Sequence, residues 1–219
     1  MLPTFKTNLD DIKEKITNIG ESLVTANSLI LQALQSCNEK QFNEARNSIK
    51  NITSKTDEID NAIIKVLALF TPEAKDLRQV VAYFKITNEL ARACSNTRSF
   101  IRGFTDVCKD LDVKEINEYA TLMQTSTVEA IETTVKMINV DDTDELQEMY
   151  EEVLIEENKV DDLYEMIERK LVEQAEGSNT FEKYHKMLRA LRKSEKIASR
   201  TISVANLLVY IKIGGHLHN

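Results

Sequence analysis

LRQVVAYFKITNELARACSNTRSFI, residues 77–101, decides the fold. Leu77, Val80, Phe84, Thr87, Ala91, Cys94, Arg98 and Ile101 recur at alternating steps of three and four. That spacing is the buried seam of a long helix in a bundle, and it fits no strand. A second stretch repeats it. In FEKYHKMLRALRKSEKIASRTISVA, residues 181–205, the positions Phe181, Tyr184, Leu188, Leu191, Glu195, Ala198, Ile202 and Ala205 take the same steps, and Val209 continues them. The two seams superimpose when 104 is added to each number of the first. The same shift lays Asp57 on Asp161, Ile59 on Leu163, Ile63 on Ile167 and Leu67 on Leu171. One shift aligning two pairs of helices points to an internal repeat.

Punctuation between these stretches completes the pattern. Only five Gly and two Pro occur in 219 residues, so long helices are expected. The first helix spans about 4–35. Asn38 with Gln41 reads as a capping box opening the second. Thr71-Pro72-Glu73 reads as the start of the third, with Thr71 as the cap and Pro72 in the first turn. Asp112 with Glu115 opens the fourth, Asp142 with Glu145 the fifth. Gly177-Ser178-Asn179 separates the fifth from the sixth, and Gly214-Gly215 ends the sixth. The chain is therefore predicted to be all-α. Six long antiparallel helices form two tandem three-helix bundles, residues 1–108 and 109–219.

Composition narrows the function. Hydrophobic residues make up 42%, enough for a substantial core. A net charge of −8 argues against a nucleic-acid binder. Three cysteines, Cys37, Cys94 and Cys108, show no metal-type spacing, and their odd number suits a reducing compartment. The N-terminal stretch MLPTFKTNLDDIKEK has no apolar h-region, and no apolar run approaches 18 residues. The expectation is a cytoplasmic protein. No Gly-rich phosphate loop and no nucleophile constellation occurs.

The residues with potential chemistry are acidic. Glu157, Asp161 and Glu165 are spaced by four, which stacks three carboxylates on one helical face. Eleven acids lie between Asp144 and Glu168, so a solvated charged face is one reading. Ligation of a hard cation is the other. Glu195 sits in a seam that its neighbours fill with Leu and Ala, and Arg98 interrupts the first seam. Lys183, Lys186, Arg189, Lys193, Lys196 and Arg200 form a basic stripe, expected to pair with the neighbouring acidic helix. Glu182-x-x-His185 has the spacing of a di-metal motif but occurs once. His216 and His218 lie in the C-terminal tail.

FTPEAKDLRQVVAYFKITNEL (70–90), EENKVDDLYE (156–165) and SEKIASRTISVANLLVYIKIGGHLHN (194–219) together resemble the PhoU family of phosphate-signalling regulators. The Pro-x-x-x-Asp-Leu-Arg segment of that family falls on Pro72, Asp76, Leu77 and Arg78. The resemblance covers nearly the whole chain. It implies acid-x-x-x-Asp motifs on four helices that bind metal clusters. Here Glu157 and Asp161 match in full, and Glu195 is kept while Ser199 replaces its acid partner. Thr53 precedes Asp57, and Ala91 and Ser95 replace both acids of another motif. The implied metal set is Glu157, Asp161 and Glu195, with Glu165 and Asp57 as further candidates. One divalent or iron-type ion (Fe, Zn, Mn or Mg) would sit in the second repeat only. The chain would be a divergent, non-catalytic member.

The family further implies restraint of phosphate transport and of phosphate-responsive two-component signalling by protein contact. Partners would be a phosphate ABC transporter and a sensor histidine kinase, with membrane contact only through them, and the chain would be a homodimer. Two alternatives stand beside this reading: an accessory subunit of another phosphate or ion transporter, and a carboxylate-bridged metalloprotein.

Overall fold

A computed structural model describes residues 3–108, 114–174 and 178–214. Among them the chain is helical, with α1 (Pro3–Ser36), α2 (Glu39–Ser48), α3 (Ile52–Phe70), α4 (Ala74–Thr105), α5 (Lys114–Met137), α6 (Thr143–Gln174) and α7 (Ser178–Ile213). The six expected rods are present. The second is broken into α2 and α3 at residues 49–51, which the sequence reading took as continuous. Ile49 is buried at the break. The Arg98 guanidinium donates to its carbonyl at 3.3 Å, satisfying a group that the broken ladder leaves over. This explains the arginine that interrupts the α4 seam.

The caps divide in the same way. Asn38 Oδ1 accepts from the Lys40 amide at 3.0 Å, so Asn38 does open α2. Gln41 does not complete a box and instead donates to Gln32 Oε1 at 3.1 Å. Asp142 Oδ1 accepts from the amides of Asp144 and Glu145 at 3.0 and 2.8 Å, as expected at the start of α6. Thr71 is a correction. It closes α3 in the left-handed region (φ 41°, ψ 58°), and α4 starts after Glu73. Asp112, Gly177 and Gly215, read as helix boundaries, lie outside the described residues, as do His216 and His218.

α1 and α5 form the middle of the bundle. Phe5, Leu9, Ile12, Ile16, Ile19, Leu23, Ala26, Ile30 and Ala33 alternate steps of four and three along α1, and all are buried. Each rod lies against the other two of its own trio (α1, α2–α3 and α4, or α5, α6 and α7), and the trios meet through α1 with α5 and α4 with α7. The α4–α7 interface is the most extensive. It is antiparallel: Gly103 faces Ala190, Glu89 pairs with Arg200 at 3.1 Å, and the Arg78 guanidinium lies over the Tyr210 ring.

Burial recurs along the 104-residue shift, with Tyr184, the counterpart of Val80, only half-buried, and it corrects the seam drawn on that shift. Leu77, Phe84 and Phe181 are exposed rather than buried. The buried line on α4 is Val80, Tyr83, Thr87, Leu90, Cys94, Thr97, Ile101 and Phe104. Its counterparts Met187, Leu191, Ser194, Ala198, Thr201, Ala205 and Leu208 on α7 are buried too. The sequence reading placed every second residue one position too far along. Helices packed on several sides bury a wide face, and one residue turns that face by about 100°.

Candidate functional site

The acidic face lies where α6 passes α7. Val153, Val160, Ile167 and Leu171 bury one side of α6; Glu156 is turned to Ser126 and Glu129 of α5, and the other acids between them face solvent or α7. Glu195 on α7 is the exception: its residue is only 6% exposed. Arg192 Nε approaches Glu195 Oε2 at 3.2 Å and Lys196 Nζ approaches Oε1 at 3.4 Å. The arginine contact is an ion pair without hydrogen-bond alignment, so Oε2 is buried with no hydrogen-bond partner. The Arg192 charge, rather than a hydrogen bond, is what meets this oxygen.

Glu157 feels this site. Burial pushes its carboxyl above the ordinary value, and the charges of Asp161 and Glu195 push it further. Burial raises Asp161 as well. Arg192 and Lys196 oppose that rise, while Glu165 and Asp162 add to it. Glu157, Asp161, Glu195, Arg192 and Lys196 thus form one electrostatic cluster across α6 and α7. Arg192 also lies 4.9 Å from the centre of the Tyr164 ring, bracing the helix pair.

The other candidates are placed differently. Glu165 is turned to Arg169 of its own helix at 3.7 Å, and its side chain is exposed. Asp57 is exposed on α3, and its charge, after burial, raises the carboxyl of Asp60. Thr53, Ala91 and Ser95, at the corresponding positions of the first trio, bring no carboxylate. Among the described residues no three His, Cys, Asp or Glu side chains are gathered at metal-coordinating range. Glu182 is held by Lys186 at 2.8 Å, and His185 stacks on Phe181 at an exposed position. Of the basic stripe, Lys186 and Lys196 pair within α7 and Arg200 pairs with Glu89 of α4, rather than across to the acidic helix; the contact with α6 comes from Arg192, outside the stripe, over the Tyr164 ring.

Two features escaped the sequence reading. Cys37 and Cys108 form a disulfide, with Cα atoms 5.9 Å apart, joining the end of α1 to the end of α4. This departs from the expectation that the cysteines suit a reducing compartment: two of the three are paired, and Cys94 is free and buried. The second feature is a buried polar chain across the four central helices. Asn27 Nδ2 donates to Thr97 Oγ1 at 3.3 Å, and Gln124 Nε2 donates to Asn27 Oδ1 at 3.1 Å. Ser194 Oγ donates to Gln124 Oε1 at 2.9 Å and lies 3.2 Å from Thr127 Oγ1. Asn27 in the apolar stripe of α1 was the available signal.

No helix among the described residues is long and apolar enough to cross a membrane. Residues 16–100 match the family model of the PhoU domain. The crystal structure of PhoU from Pseudomonas aeruginosa is similar, with a TM-score of 0.86 at 19% identity, over 96% of this chain and 100% of that one. The phosphate transport system regulatory protein PhoU from Streptococcus pneumoniae gives 0.80 at 17% identity, over 98% and 99%. No curated protein matches the sequence.

Proposed function

We infer, from a chain that carries a PhoU domain in residues 16–100 and has the PhoU fold along its length, that it regulates phosphate transport. The observation that supports this most is the end-to-end agreement with a protein described as a phosphate transport regulator. The chain acts by contact, not catalysis. It docks on a phosphate ABC transporter and on a sensor histidine kinase at the cytoplasmic membrane face, restraining uptake and signalling when phosphate is plentiful. It works as a homodimer in the cytoplasm, which requires the Cys37–Cys108 bridge to persist in a reducing compartment, and it reaches the membrane only through those partners. Cells lacking it should import phosphate and express starvation genes in phosphate-rich medium. Normal repression in such cells would contradict the reading.

A metal ion belongs to this proposal in the second trio alone. The buried Glu195 and the mutually repelling Glu157 and Asp161 are the candidates for one hard cation, which would have to draw together side chains that are not gathered at coordinating range here. These three carboxylates would hold it, and bound there it would neutralise their charge and tie α6 to α7. Arg192 and Lys196 already balance part of that charge, so the ion adds rigidity rather than creating the fold. The first trio does not fit, because Thr53, Ala91 and Ser95 supply no anionic oxygen.

A further inference from the structure

A groove of about 790 Å³ runs between α4 and α6 with α7 as its floor. Lys85, Asn88, Glu89 and Arg92 line it from α4, Tyr150 from α6, and Arg200, Ser203 and Asn206 from α7. Three cations and one carboxylate give it a net positive charge in a protein of −8. The carboxylate is already spent: Glu89 Oε2 accepts from Arg200 Nη1 at 3.1 Å. Lys85 and Arg92 are exposed and make no ion pair among the described residues. They stand two turns apart on one face of α4, about 10 Å along its axis.

The remaining lining is mixed. Asn88 keeps one amide hydrogen after donating the other to the Phe84 carbonyl at 3.0 Å, Ser203 Oγ donates to the Ser199 carbonyl at 2.9 Å, and Tyr150 adds a phenol, while Ile202 and Leu207 offer a hydrophobic floor. Arginine and lysine with amide donors suit phosphate oxygens. The volume is that of a small-molecule site and far exceeds one phosphate ion. From this we infer that the groove binds a small organic phosphate of nucleotide size. Its phosphates lie along Lys85 and Arg92, and its non-ionic part rests against Tyr150 and Leu207. This is independent of the regulatory reading, since the groove can bind such a ligand whatever the chain docks on.

The test is calorimetry on the full chain with ADP, adenosine and inorganic phosphate, at one fixed ionic strength. ADP should bind, and adenosine and inorganic phosphate should each bind at least tenfold more weakly. Lys85→Ala and Arg92→Ala should each weaken ADP by about tenfold, the weight of one charge-assisted hydrogen bond. Both side chains are exposed, so unchanged unfolding midpoints should accompany the loss. Absence of ADP binding, equal binding of adenosine or of inorganic phosphate, or full ADP affinity in both variants would each overturn the inference.

Discussion

Gln124 Nε2 on α5 lies 3.1 Å from Asn27 Oδ1 on α1, and both side chains are almost wholly shut off from solvent. This bond joins the middle helices of the two trios. Thr97 extends it to α4, and Ser194 extends it to α7. Such a chain is costly when half satisfied, because a buried amide without a partner keeps its full desolvation penalty. Asn27→Ala should therefore lose about 1–3 kcal/mol in urea unfolding. With Gln124→Ala it should show a coupling of at least about 0.5 kcal/mol. Strict additivity of the two changes would show that the bond carries nothing.

Gly20 sits where α1 crosses α5. A Cβ added there would lie 2.7 Å from Val135 Cγ2, and a β-branched side chain has little freedom to move away. Gly20→Ala gains about 1 kcal/mol of helix propensity but overpacks the crossing by about 1–3 kcal/mol. Val135→Ala in the same chain should recover much of that loss. Equal destabilisation with and without Val135→Ala would contradict the close approach.

The cysteines give a chemical test. Cys94 is fully buried, and burial pushes its thiol up to about 12, so it is protonated and inert at pH 8. Native unreduced protein should show no reactive thiol. After reduction, Cys37 and Cys108 should label while Cys94 stays protected. The disulfide spans 71 residues, for which chain entropy gives about 4 kcal/mol, so reduction should lower the unfolding midpoint. Labelling of Cys37 without reductant would contradict the bridge.

For the acidic face, Glu195→Gln should weaken Mn²⁺ binding by about tenfold or more in calorimetry. Glu165→Gln should leave it unchanged, since Glu165 is turned to Arg169. Equal effects would place the ion elsewhere on α6.

The rods and the repeat were legible because hydrophobic spacing is a property of local sequence. The shift that pairs Thr97 with Thr201 and Cys94 with Ala198 holds in the packed structure, where all four are buried. Which of two adjacent residues faces inward was not legible, since Phe84 and Tyr83 are both aromatic and only the neighbouring helices choose between them. The cluster of Glu157 with Glu195 could be read in part, because a carboxylate in an apolar seam stands out. The Cys37–Cys108 bridge and the Gln124–Asn27 bond could not, because each joins residues far apart in sequence through tertiary packing. The groove at Lys85 and Arg92 needs α4, α6 and α7 placed together, which no single stretch records.

The most direct measurement of the regulatory role is recovery of partners from native membranes. The tagged chain, purified from cells grown with and without phosphate, should bring down a phosphate transporter component and a sensor kinase, with recovery changing on starvation. Recovery of neither, under both conditions, would contradict the account.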